Sequence, residues 1–149
     1  MNSTSQISPI ITWKDTVEYV SPINEGHVVK VYDGDTITIA AKMPYSNSPL
    51  FRFHVRLDGI DTPEIKGKNL EEKMLAKEAR DAISTICMNK MVTLKNVKNE
   101  KYGRILADVY CENIHLNEWL ISQRYAIKYS GGTKTIPSSW SEYKTSGKM

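Results

Sequence analysis

The chain is poor in the residues that build covalent or thiolate scaffolds. It has two cysteines, Cys87 and Cys111, in 149 residues. They share no short spacing, which argues against a disulfide framework or a thiolate metal site. Cys87 falls in a helical pattern and Cys111 ends a strand pattern, so both are expected reduced and buried, as suits an intracellular protein. No apolar run approaches the ~18 residues that a membrane span needs. The segment Ile7 to Trp13 is too short for a secretory leader and is interrupted by Ser8 and Pro9. Internal repeats and low-complexity tracts are missing. So is an excess of charge of one sign: the formal net charge is +3 and the pI about 8.8. That balance permits a polyanionic partner without requiring one. Of the three histidines, His27 and His115 have no ligand spacing.

What is present describes a globular domain. Hydrophobic residues make up 40% and charged residues 25%, and the length suffices for one domain with a core. The charges are unevenly placed. Residues 1–87 hold ten Lys/Arg against twelve Asp/Glu, whereas residues 88–149 hold ten against five. An acidic half beside a basic half suits a metal enzyme that handles phosphate chains.

The pattern divides the chain into an arm (1–25), a central domain (26–130) and an irregular tail (131–149) in which Trp140 is the expected anchor. The arm offers one extended piece, Thr16–Val20. Two β-rich runs, His27–Tyr32 and Thr36–Ala40, flank the turn signal Asp33-Gly34. Ala41–Leu50, with Pro44 and Pro49, reads as a loop. Phe51–Leu57 alternates, with Phe51, Phe53, Val55 and Leu57 facing inward and Arg52, His54 and Arg56 outward. Pro63 cannot donate to a ladder, so Asp61 to Glu64 are expected to leave the sheet. Leu70–Met88 repeats its apolar residues at helical spacing. Met91–Val97 and Ile105–Cys111 read as strands, and Asn117–Arg124 as a short helix. Five strands, with the main helix between the third and fourth and a short helix after the fifth, predict an α+β fold dominated by a β-barrel. Its type is the five-stranded Greek-key barrel of the OB-fold.

Three short blocks carry the chemistry. They are Asp33-Gly34-Asp35-Thr36, then Arg56 followed by Asp61-Thr62-Pro63-Glu64, and Lys101-Tyr102-Gly103-Arg104. A hard cation takes carboxylate, carbonyl and water oxygens in flexible geometry. Asp35 starts the second strand and Asp61 follows the third, so both can converge at one barrel end. The Thr62 carbonyl can add a ligand, and Glu64 can share the site through a water. Ca²⁺ fits this oxygen set, and Mg²⁺ or Mn²⁺ is also acceptable to it. Arg56 and Arg104 offer permanently charged forks for the phosphate oxygens of a phosphodiester transition state. Singly, each block has an ordinary reading: a hairpin turn, a strand exit with a helix-capping acid, a basic turn. Their co-occurrence in one order makes those readings insufficient.

These blocks resemble those of the staphylococcal nuclease (thermonuclease) family across roughly His27–Lys128, including the five-residue gap between Arg56 and Asp61. Asn117-Glu118 with Leu120, Gln123 and Ala126 resembles the helix that follows in that family. The resemblance implies an OB-fold and Ca²⁺-dependent hydrolysis of DNA and RNA with little sequence specificity, giving 3′-phosphate ends. It implies that Asp35, Asp61 and the Thr62 carbonyl hold the ion, and that Glu64 positions or deprotonates the attacking water. Arg56 and Arg104 would bind the scissile phosphate, Lys101 and Tyr102 a neighbouring one, and Asp33 would act through water or backbone. The nucleotide-flanking tyrosine of the family falls on Tyr129, one residue out of register, or on Tyr125. The segment Ala41–Leu50 has no counterpart, and the long C-terminal helix of secreted members is reduced to Ser138–Tyr143. The expected partners are DNA and RNA, without a membrane, and a monomer is the default. The alternative is a non-catalytic nucleic-acid or protein-binding barrel. Asp35, Asp61 and Glu64 speak against it, because three acids weaken phosphate binding unless a cation neutralises them.

Overall fold

A computed structural model describes residues 9–132 and 135–149. Residues 1–8 of the arm and 133–134 of the tail lie outside the described residues. A 3-10 turn, Trp13–Asp15, precedes the barrel, and the extended piece expected at Thr16–Val20 forms no strand. The long strands are β1 (Glu25–Asp33), β2 (Thr36–Lys42), β3 (Leu50–Leu57), β5 (Met91–Asn99) and β6 (Ile105–Cys111). They pair in the order β3-β2-β1-β5-β6, and β3 pairs with β6 in parallel through Val55↔Ile105, Arg56↔Leu106 and Leu57↔Ala107. That last pairing closes a five-stranded barrel, which removes the open edges of a free sheet.

Period-2 alternation fills the barrel. On β6 every second residue is buried, from Ile105 to Cys111. On β3, Val55 and Leu57 are fully buried, but Phe51 stays exposed. The inward stripe read from the sequence therefore holds at the β6 end of the strand and not at the loop end. Val28, Ile37, Ile39, Val92 and Val109 complete the core.

Helix α1 (Leu70–Cys87) caps the barrel with Leu75, Ala76, Ala79, Ile83 and Cys87 buried on one face. Asn69 starts it, its side chain accepting from the Glu72 amide at 2.8 Å. It stops at Asn89, whose φ of 64° reverses the chain and whose amide donates to the Val28 carbonyl at 3.1 Å. Gly34 in the first turn needs no positive φ. Its role is spatial, since a Cβ there would lie 2.9 Å from the Ala79 Cβ. The turn carrying Asp33 and Asp35 thus presses directly on α1.

Three short strands were not legible in the sequence. They are β4 (Ile60–Asp61), β7 (Ile114–His115) and β8 (Ile127–Lys128). Asp61 leaves the barrel, as Pro63 requires, but pairs with Ile127 in a separate β4–β8 ladder. Helix α2 (Leu116–Ser122) follows β7. Its buried Asn117 donates to the Asp58 carbonyl at 2.8 Å and accepts from the Val109 amide at 3.0 Å. That clamp ties α2 to the segment linking β3 to β4.

Part of the described tail is helical rather than irregular. Ser139 caps a third helix, α3 (Trp140–Ser146), and Gly147 ends it at φ 78°. Trp140 and Tyr143 pack with Leu75 of α1 and Ile127 of β8. The Tyr143 hydroxyl donates to the Ala126 carbonyl at 2.8 Å. Short helices are marginal alone, and this one is held by that packing. Among the described residues no helix is long and apolar enough to cross a membrane.

Candidate active site

The sequence blocks meet at one groove of about 830 Å³. Asp33, Asp35, Arg56, Asp61, Glu64, Lys101, Tyr102, Arg104 and Tyr129 all line it. Three separate pairings bring them there. The β2–β3 register sets Thr36 opposite Arg56, the β4–β8 ladder carries Asp61 and leads into Tyr129, and the β5–β6 hairpin delivers Lys101 to Arg104.

Arg56 is the geometric centre of the acidic side. One guanidinium nitrogen lies 3.5 Å from Asp35 Oδ2 and the other 3.4 Å from Asp61 Oδ1. The first also donates to the Leu57 carbonyl at 2.8 Å. Asp35 and Asp61 are both buried, and Asp35 accepts a further bond from the Thr36 hydroxyl at 3.0 Å. Two carboxylates from distant stretches thus face one fork. Asp33 is half-buried, and its Oδ1, itself shielded from solvent, has no hydrogen-bond partner. Burial, then the charges of Asp35 and Glu64, push its carboxyl up to about 6.

Arg104 closes from the opposite wall. Its Nε and Nη2 each donate to Glu100 at 3.1 Å, a bidentate pair, while Nη1 lies 3.5 Å from the Thr36 hydroxyl. The hydrogen bond to Glu100 holds the guanidinium pKa above its ordinary value, with Asp35 and Asp33 adding to the shift. The same bond lowers the Glu100 carboxyl. Glu100 also accepts from the Tyr102 and Arg104 amides, so it organises the whole turn. Sequence reasoning did not single out Glu100. An acid four residues before the arginine of a tight basic turn was the available signal.

Glu64 is exposed at the groove rim. Its amide donates to Glu72 of α1 at 3.2 Å. Gly67 leaves room for that link, since a Cβ there would meet the Glu72 side chain at 2.6 Å. Tyr102 is also exposed, with the Lys101 ammonium 5.5 Å above its ring.

Two sequence-predicted residues are not brought to the groove lining. Tyr125 packs its ring on Trp119 at 6.0 Å, with the Lys144 ammonium 4.6 Å above it. Of the two tyrosine candidates, only Tyr129 lines the groove. Thr62 is buried behind the lining, with its methyl toward Gly34.

The donor set suits a hard cation. Asp35 and Asp61 supply carboxylate oxygens, and the partnerless Asp33 oxygen marks a spot where negative charge is undercompensated. Among the described residues no three His, Cys, Asp or Glu side chains form a group able to hold a metal ion by themselves. An ion held here would therefore draw the rest of its shell from backbone, water and substrate.

A family model described as staphylococcal nuclease homologue matches residues 54–144. Among curated proteins, an uncharacterised protein of Bacillus anthracis is 35% identical over 69% of this chain and 46% of its own length. The thermonuclease of Staphylococcus hyicus is 35% identical over 66% of this chain and 56% of its own length. The probable endonuclease LCL3 of Phaeosphaeria nodorum is 29% identical over 74% of this chain and 36% of its own length. The chain thus spans about half, or less, of the curated relatives it matches.

Proposed function

The chain belongs to the staphylococcal nuclease family, and on that premise we propose that it is a Ca²⁺-dependent nuclease. It hydrolyses phosphodiester bonds of DNA and RNA with little sequence specificity and leaves 3′-phosphate ends. The observation that carries this reading is the convergence of Asp35 and Asp61 on one guanidinium, 3.5 and 3.4 Å away, with Arg104 on the facing wall.

Asp35 and Asp61 would hold the ion, joined by the carbonyl of Thr62. When bound, Ca²⁺ supplies a second positive charge to the phosphate oxygens. The residues of the chain do the rest. Arg56 binds one phosphate oxygen and Arg104 reaches another with the Nη protons that Glu100 and Thr36 leave over. Both forks are preformed by their carboxylate partners, so little reorganisation is needed as charge builds on phosphorus. Glu64 orients the attacking water and is the carboxylate available to take its proton. Water adds to phosphorus, the bond to the 5′ oxygen breaks, that oxygen takes a proton from solvent and leaves as a hydroxyl, and the phosphate stays on the 3′ side. Lys101 and Tyr102 engage the adjacent phosphate, and Tyr129 borders the nucleotide. A binding-only barrel has no use for Asp33, Asp35, Asp61 and Glu64 in its groove, where their charge repels phosphate.

The test is degradation of single-stranded DNA across divalent ions, with the product ends mapped. Ca²⁺ should support cleavage to 3′-phosphate ends and a chelator should abolish it. Glu64→Ala and Arg104→Ala should each lower the rate at least a hundredfold, on the scale of losing one charge-stabilising donor, with the fold intact by circular dichroism. Near-normal rates in either variant would overturn the role assigned to that residue.

A further inference from the structure

Strand β3 places Arg52, His54 and Arg56 on one face, and the groove accounts for Arg56 alone. The buried Val55 and Leu57 between and beyond them fix that face as the outer one. Alternate residues on a strand stand about 6.8 Å apart, a step comparable with that between phosphates on an extended single strand. The register puts Thr38 of β2 opposite His54 on one side and opposite Lys30 of β1 on the other. Thr38 is short and buried beneath these longer, exposed neighbours. Its hydroxyl lies 3.1 Å from His54 Nδ1, which orients the ring and leaves Nε2 available. At the groove edge, Tyr32 is 50% exposed, lines the groove, and has the Lys30 ammonium 5.6 Å from its ring.

The charge that β2 and β3 give this face is one-sided, although β1 adds the exposed Glu25 at its far end. Thr36–Lys42 and Leu50–Leu57 contain no acid in a chain with 17 Asp and Glu. Some surface cations elsewhere are paired, as in Lys90–Glu112, Lys98–Asp58 and Lys148–Glu142. Among the described residues no carboxylate pairs with Arg52 or Lys30. A row of uncompensated cations that runs into a phosphate groove and ends at an exposed aromatic ring has the composition of a single-strand track.

We propose that the outer face of β1, β2 and β3 is an extended binding track for single-stranded nucleic acid. Phosphates beyond the cleaved one contact Lys30, His54 and Arg52, and a base stacks on Tyr32 where the strand enters the groove. The track rests on the nuclease reading of the groove, because that reading supplies the ligand whose continuation it holds.

The experiment is fluorescence anisotropy of the full chain with fluorescein-labelled oligothymidylates, in chelator so that nothing is cut. One probe is a dinucleotide and the other has ~10 nucleotides, within the footprint of one barrel of this type. The triple variant Lys30→Ala, Arg52→Ala, His54→Ala should bind the longer probe at least tenfold more weakly. The slope of log affinity against log salt should fall by about 1.4, for two lost permanent contacts. Dinucleotide affinity should not change. The single variant Arg52→Glu, at an exposed position, should weaken only the longer probe and guards against misfolding of the triple variant. Unchanged affinity for the longer probe, or an equal loss on both probes, would overturn the track. A wild-type chain that binds the longer probe more tightly but cleaves nothing with any divalent ion would sink the catalytic reading and leave the track standing.

Discussion

Asp33 Oδ1 is buried without a partner, and the neighbouring charges of Asp35 and Glu64 have its own sign. Its carboxyl is pushed up to about 6 from an ordinary value of 3.8. An acid raised in this way keeps its proton longer in the folded state. Its destabilising effect is absent below 3.8 and complete once the pH has risen through about 6. Asp33→Asn should therefore raise the melting temperature at pH 8 in chelator, with the gain shrinking through pH 6 and vanishing near the ordinary carboxylate value. Calorimetric melts across that range check this, and a gain independent of pH would contradict it. At this scale the chain was largely legible, because Asp35, Arg56, Asp61, Glu64 and Arg104 stand in ordered blocks whose chemistry depends on residue type. Glu100 was not, since an acid beside a basic turn looks like solvated surface until its carboxylate is seen to clasp Arg104. Which of Tyr125 and Tyr129 lines the groove was closed to sequence spacing, because it follows from the β4–β8 ladder.

Elements decide how rigidly those side chains are offered. Helix α1 supports the groove from behind through Gly34 against Ala79, and steadies Glu64 through Glu72. Helix α3 in turn covers α1, with Trp140 and Tyr143 on Leu75 and Ile127. Tyr143 buries a hydroxyl whose partner is the Ala126 carbonyl. Tyr143→Phe should leave that carbonyl unpaired and cost about 1 kcal/mol, read as a lower denaturant midpoint at unchanged slope. The rate per folded molecule should stay near wild type, and an unchanged midpoint would show that α3 does not brace the barrel. The long strands and α1 were legible because periods of 2 and 3.6 repeat often enough to register. The two-residue strands β4, β7 and β8 are too short to show any period. The seven residues of α3 carry only one apolar pair at helical spacing, so a tail reading prevailed.

For the whole molecule, closure is what turns scattered motifs into a groove. The parallel β3–β6 pairing brings Arg56 beside Leu106 and so sets the Arg104 turn against the Asp35 turn, although 68 residues separate Thr36 from Arg104. The order of strands and helix pointed to this barrel, but the closing pair was invisible to local pattern because it depends on the shear of the complete sheet. On the proposed reading, Asp35 and Asp61 jointly make one cation position beside a phosphate fork. Calorimetric titration of Ca²⁺ into the wild-type chain and into the Asp35→Asn, Asp61→Asn double variant tests it most directly. A single ion should bind per wild-type chain and the variant should give no binding heat, whereas an unchanged titration in the variant would rule out a cation position built by these two carboxylates.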